Sequence, residues 1–261
     1  MARPKFSVAI LHRPGFPDRD ENLATMLTEL ASPILKVFDR ERGLGEDFHR
    51  FKVTLFLEQW EWSLSTEAEH HIFLTDDLYL APHFLEIIEA MVAVRPVCPI
   101  GLLSNHPETA TLFDDGTRGY WTNSWLVGPA YVLPHDFLLD FVQWYGALPN
   151  SSYERGHAQH YNDDSAINEF VSVSGRKTWH PIPTPIEHRG DLPSTVGHGD
   201  KYSRERVSWR QAQKCLVKTD GSLHWTRQVF EPHPANALVL CHEMVFPSFW
   251  EGNHPFLPLP E

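Results

Sequence analysis

Two hydrophobic rhythms take turns along this chain. Residues 6–11 (Phe-Ser-Val-Ala-Ile-Leu) are an almost unbroken apolar run, which predicts a strand covered on both faces near the centre of a parallel sheet. Residues 21–31 then place Leu23, Met26, Leu27 and Leu30 at helical spacing behind a capping region with Asp18 and Asp20. Residues 34–39 return to a short strand pattern that ends in a carboxylate, Asp39. Strand, helix, strand predicts a βαβ unit with a right-handed crossover. Residues 48–64 are apolar on more than one helical face, with Phe51, Leu55 and Trp62 on one and Val53, Leu57 and Trp60 on another. That predicts a buried helix, although the Val, Thr and Phe of residues 52–57 leave a strand open there.

The alternation continues. Residues 70–80 (His-His-Ile-Phe-Leu-Thr-Asp-Asp-Leu-Tyr-Leu) carry an apolar run that stops at two adjacent carboxylates, Asp76 and Asp77. An amphipathic helix is predicted over residues 84–94, stopped by Pro96, and a strand over residues 97–103. Residues 104–119 are polar, with a turn at Asp114-Asp115-Gly116. A strand-like segment over residues 125–133, interrupted by Gly128-Pro129, leads to a helix over residues 137–145. After a polar loop, Asn162-Asp163-Asp164 caps a helix over residues 165–171, and Thr178 begins a short strand. Residues 181–200 are rich in Pro, Gly and His; beyond them only a helix at 204–217 and a strand at 237–241 are suggested. The pattern predicts an α/β fold with a mixed, mostly parallel central sheet flanked by helices. Residues 1–200 form its one domain, and residues 201–261 a less regular C-terminal extension packed on it.

Composition narrows the choices. A chain of 261 residues is long enough for one large core. Its 22 basic and 34 acidic residues give a formal charge of −12, which works against non-specific binding to nucleic-acid backbones. Only a local basic groove, with Arg204, Arg206, Arg210, Lys214 and Lys218 as candidates, would offset it. Cys98, Cys215 and Cys241 are far apart and show no Cys-x-x-Cys spacing. They indicate neither a thiolate zinc site nor a disulfide framework, and fit a reducing compartment. No stretch approaches a membrane span and the first apolar run is too short for a signal peptide, so a cytoplasmic protein is expected.

The chemistry gathers at strand ends. Side-by-side carboxylates repel, and a hard divalent cation held through oxygen ligands is the common remedy; a plain Asp-Asp turn is the alternative. Arg13, Asp39, Asp76 with Asp77, and the segment 187–198 all follow predicted strands. In an open α/β sheet the ends of successive parallel strands share one edge. A cation for a pyrophosphate, a carboxylate for ribose hydroxyls and a metal bridging phosphate oxygens together make a nucleotide-diphosphate site. Neither Gly-x-Gly-x-x-Gly nor Gly-x-x-x-x-Gly-Lys-Ser/Thr occurs, which speaks against dinucleotide dehydrogenases and P-loop enzymes.

In element order and in two of these motifs the chain resembles the GT-A glycosyltransferases (a Rossmann-like fold) over residues 5 to about 200. Thr75-Asp76-Asp77 is similar to the Asp-x-Asp-type motif that holds Mn²⁺ or Mg²⁺ against a sugar-nucleotide diphosphate, without the first acid. Residues 183–195 (Pro-Thr-Pro-Ile-Glu-His-Arg-Gly-Asp-Leu-Pro-Ser-Thr) are similar to a late Pro-Ser-Leu-x-x-His-x-Gly-x-x-Ser-Ser pattern. The resemblance implies a metal site of Asp77 and His188, with Asp76 acting through water or the ribose and His198 as the competing imidazole. It implies donor-nucleotide contacts from Arg13, Asp39, Asp76, Ser194 and Thr195, and sugar or acceptor contacts from Trp121, Asn123, Gly128 and Tyr131. Trp121 is either a stacking platform for a sugar or a core aromatic. Asp164 first, and Asp163 second, match the acceptor-side base of an inverting transfer, with helix capping as the plain alternative. The implied activity is metal-dependent transfer from a nucleotide-diphosphate sugar, UDP-sugar favoured, to a hydroxyl. The acceptor is a glycan, a lipid-linked sugar, a small molecule or a hydroxymethylated base in phage-type DNA. A metal-dependent sugar-nucleotide hydrolase and a non-catalytic protein on a degenerate scaffold are the rivals.

Overall fold

A computed structural model of the chain describes residues 6–32, 34–39, 48–103, 119–122, 130–148, 163–189 and 242–243. The first apolar run becomes β1 (Phe6–His12), followed by α1 (Pro17–Leu30) and β2 (Leu35–Asp39). Helix α1 starts ahead of the expected span because Pro17 occupies its first turn, where a missing N–H leaves nothing unsatisfied. The doubly apolar stretch is helical, α2 (Phe48–Leu64). Then come β3 (His70–Thr75), β4 (Leu78–Leu80), α3 (Phe84–Val94), β5 (Ile100–Gly101), β6 (Gly119–Thr122), β7 (Ala130–Pro134) and α4 (His135–Ala147). The last elements are α5 (Asp163–Val173), β8 (Thr178–Pro181), β9 (Ile186–His188) and β10 (His242–Glu243). The strand expected over residues 97–103 shrinks to the two residues of β5. Strands β4, β6 and β9 were not legible: each is too short to show a period of its own and exists because a distant partner pairs with it.

The large sheet has the order β10-β6-β8-β5-β7-β3-β1-β2, and β4 pairs with β9 in a separate ribbon. β1 is parallel to β2 and to β3, and β5 is parallel to β8. β7 lies antiparallel between β3 and β5, and β6 is antiparallel to β8. The fold is therefore α/β, with a mixed, mostly parallel sheet flanked by helices, as the alternation predicts.

Side-chain alternation divides the core into two layers. Val8, Ile10, Ile72, Leu74 and Val132 face Met26 and Leu30 of α1 and Phe84, Ile88 and Met91 of α3. Ala9, Leu11, Phe73, Tyr131 and Leu133 face Trp60 of α2, Phe137 and Phe141 of α4 and Phe170 of α5. Each fully buried Leu, Ile or Phe contributes about 1.5–3 kcal/mol. Gly101 is required by close approach: a Cβ there would stand 2.3 Å from the His180 ring.

Register brings the strand ends level. His12 is opposite Asp39 and Leu11 is opposite Thr75, so β1, β2 and β3 finish at one edge. β7 begins at that same edge, with Ala130 opposite Leu74. No helix among the described residues is long and apolar enough to cross a membrane. Apart from β10, the proposed extension, including the elements expected at 204–217 and 237–241, lies outside the described residues.

Candidate functional site

The site is assembled by alternation at the end of β3. Leu74 points into the α1 layer, Thr75 to the opposite face, and Asp76 back towards α1. There the Asp76 carboxylate is fully engaged. Its Oδ2 accepts the backbone N–H of Arg13 at 2.8 Å and lies 2.9 Å from His12 Nδ1, while its Oδ1 accepts from Arg19 Nη1. His12 Nε2 in turn lies 3.1 Å from Asp20 Oδ1. Asn22 Nδ2 donates to the backbone oxygens of Asp76 at 2.8 Å and Leu78 at 3.0 Å, which fixes the turn between β3 and β4.

Asp77 is held from the other side. Thr75 Oγ1 donates to its Oδ1 at 2.5 Å, and Arg19 Nη2 donates to its Oδ2 at 3.1 Å. His188 Nε2 lies 3.3 Å from the same Oδ2. That imidazole is delivered by the β4–β9 ribbon, in which Leu78 pairs with His188. The Arg189 N–H donates to the Asp77 carbonyl at 2.8 Å. The Arg189 guanidinium lies 4.8 Å above the Tyr79 ring and donates to Asn22 Oδ1 at 3.3 Å.

The repulsion between the two acids is relieved inside the protein. One guanidinium, Arg19, 2% exposed, spans both carboxylates through separate nitrogens. Burial acts to raise the pKa of Asp77, but the hydrogen bond and charge of His188, the charge of Arg19 and the Thr75 hydroxyl outweigh it. The carboxyl therefore sits well below its ordinary range and is ionised near neutrality.

The remaining expected residues fall in different places. Asp39 is beside His12 at the shared edge. Arg13 follows β1, with its guanidinium 4.4 Å from the Phe16 ring. Tyr131 is buried, accepts from Trp60 Nε1 at 3.5 Å and donates to Asp163 Oδ2 at 3.1 Å. Burial first, and the Asp163 charge second, keep this phenol protonated far above its usual range, so it serves as a fixed donor that holds Asp163. Asp163 and Asp164 stand at the first turn of α5, on the face of the sheet opposite Arg19.

Trp121 is not brought to this edge. Register aligns Val8, Ile72, Val132, Ile100, Trp179 and Trp121 in one row across the sheet. Thr75 is three residues further along β3 than Ile72, roughly 10 Å at about 3.3 Å per residue. The Arg95 guanidinium lies 5.3 Å from the Trp121 ring and 4.8 Å from the Trp179 ring, so Trp121 is part of a cation–π cluster in the α3 layer. Asn123, Gly128, Ser194, Thr195, His198 and the basic residues from Arg204 to Lys218 lie outside the described residues.

His12, Arg19, Asn22 and Arg189 take part without having been singled out. Arg19 and Asn22 had a signal: they continue the buried stripe of Met26 and Leu30 backwards along α1. A polar pair in phase with a core stripe must meet buried polar partners. Arg189 had none, because its place depends on β9.

Among the described residues no group of three or more His, Cys, Asp or Glu is placed to hold an ion. Asp76 is committed to other donors. Asp77 Oδ2 and His188 Nε2, at 3.3 Å, match two neighbouring ligands of a hard cation, whose bond lengths of about 2.1 Å put such ligands roughly 3 Å apart. One or two carboxylates, completed by substrate phosphates and water, are the usual provision for Mg²⁺, and Asp77 supplies one. The pair fits; the triad with Asp76 does not.

No family model and no curated protein matches the chain. Among solved structures it is similar to a glycosyltransferase involved in the glycosylation of the major capsid of PBCV-1, with a TM-score of 0.27 and 12% identity, over 58% of this chain and 75% of that one.

Proposed function

We propose that this chain is a GT-A-type glycosyltransferase that moves a sugar from a nucleotide-diphosphate donor, UDP-sugar favoured, to an acceptor hydroxyl. The observation that carries the reading is the meeting of Asp77 and His188, 3.3 Å apart. They come from the two segments whose motifs resemble that superfamily, and they meet at the C-terminal edge of parallel strands, where open α/β sheets bind ligands. Asp77 and His188 are the residues to hold Mn²⁺ or Mg²⁺, which when bound neutralises charge on the leaving diphosphate. Arg13 and Asp39, at the ends of β1 and β2, face the nucleotide in this reading. Asp76 acts through structure, fastening the β1 turn to α1. Asp164, at the start of α5, takes the proton from the attacking hydroxyl, while Asp163 is anchored by Tyr131.

The test is a thermal-shift panel of nucleotide diphosphates and sugar nucleotides with and without Mn²⁺. The expected result is one preferred nucleotide whose stabilisation requires the metal. Asp77→Ala is expected to abolish that metal-linked shift. Asp164→Ala is expected to keep it and to lose transfer by about 10²-fold or more. Full turnover in Asp164→Ala would overturn the base assignment, and rapid release of free sugar without any acceptor would favour a hydrolase.

A further inference from the structure

Arg19 has a consequence for how a divalent ion reaches this site. Its two terminal nitrogens serve two different carboxylates, Asp76 Oδ1 and Asp77 Oδ2, and it is almost wholly buried. The planar fork of a guanidinium makes this possible; an ammonium is a point charge and serves such a pair less well. Arginine does not lose its proton in a protein, so the compensation is permanent. A second guanidinium, Arg189, stands nearby on Asn22 Oδ1 and the Tyr79 ring, while Arg13 and Arg189 reach Asp76 and Asp77 only through their backbone N–H groups. Asp20, on the far side of His12, is half-exposed and adds a screened negative charge. A free divalent ion arriving at Asp77 therefore meets an acid pair already reduced by one full charge, and an Oδ2 atom already shared by Arg19 and His188.

We infer that Arg19 is a resident counter-cation that weakens the hold of Asp76 and Asp77 on a free divalent ion, so that the ion enters together with a nucleotide diphosphate. The diphosphate supplies both the missing oxygen ligands and the missing negative charge. The second half rests on the donor class proposed above; the first half stands on the Arg19 contacts alone. Arg19 is a positioning residue here, acting on the ion through Asp77.

The test is Mn²⁺ binding followed by electron paramagnetic resonance of free ion, on the whole chain, without and with UDP. In the wild type, Mn²⁺ alone is expected to bind at least about tenfold more weakly than Mn²⁺ with UDP. Arg19→Met is expected to tighten binding of Mn²⁺ alone by about tenfold or more, since it exposes the ion to an uncompensated acid pair. Arg19→Lys, which keeps the charge, is expected to stay near the wild type. A purely structural role for Arg19 would not produce tighter metal binding in one variant and its absence in the other. Equal Mn²⁺ affinity in wild type and Arg19→Met would overturn the inference. If Arg19→Met does not fold, a wild type that binds Mn²⁺ alone as tightly as with UDP overturns it instead. Tighter binding of Mn²⁺ alone in Arg19→Met, with no effect of any nucleotide diphosphate on either protein, would uphold the counter-cation and overturn the donor class.

Discussion

His71 shows how a single polar side chain is accommodated in the middle of this core. It is fully buried at the end of the sheet remote from Asp77, with Ser7 Oγ 2.7 Å from its Nδ1 and His135 Nδ1 3.0 Å from its Nε2. Burial first, then the neighbouring charges of His135 and His70, lower its pKa from 6.5 to about 3. Between those values the unfolded chain takes up a proton that the folded chain refuses, so stability falls as pH falls through that window. The expected slope is roughly 1 kcal/mol per pH unit from this group, ending below its folded pKa. Urea unfolding at a series of pH values checks it, and His71→Asn should flatten the curve between pH 6.5 and about 3. Asp77 has the same kind of origin in reverse: His188, Arg19 and Thr75, met only on folding, hold its charge on. None of these partners is near it in the chain except Thr75, so the ionised state of Asp77 was not legible from the sequence.

Elements differ in how much of themselves they announce. Helix α3 was legible from periodicity and its proline stop, and α2 from its length, because each carries enough turns to display a face. Helix α1 was legible in its apolar half only; its first turns present Arg19 and Asn22 where a core stripe leads one to expect Leu or Val. The ribbon of β4 and β9 was not legible at all, since three residues show no period and the pairing partner is distant in the chain. That ribbon is what carries His188 to Asp77. β6 had the opposite effect on Trp121, placing it in the mid-sheet row beside Trp179 and under Arg95. Trp121→Ala is accordingly expected to lower stability by about 2–3 kcal/mol through lost packing. It should leave any nucleotide-linked stabilisation unchanged; a calorimetric scan with and without donor separates the two, and loss of donor binding alone would return Trp121 to the site.

At the scale of the whole molecule, a formal charge of −12 sets the long-range field. It repels polyanions, so filter retention of duplex DNA at physiological salt should not exceed that of an uncharged control protein. Retention that falls steeply with added salt would instead point to a basic groove. What the sequence determined by itself is local and repetitive: the alternation of strand and helix, the two-sided burial of β1 and β3, and the carboxylates at the ends of β2 and β3. These follow from side-chain period and from turn chemistry, which act over a few residues. Only the tertiary structure decided that Arg19 neutralises both acids, that the β4–β9 ribbon delivers His188 to Asp77 and that Trp121 lies partly buried in the mid-sheet row beside Trp179. Those are contacts between segments far apart in the chain, set by register and packing, and no period in the sequence encodes a partner that distant.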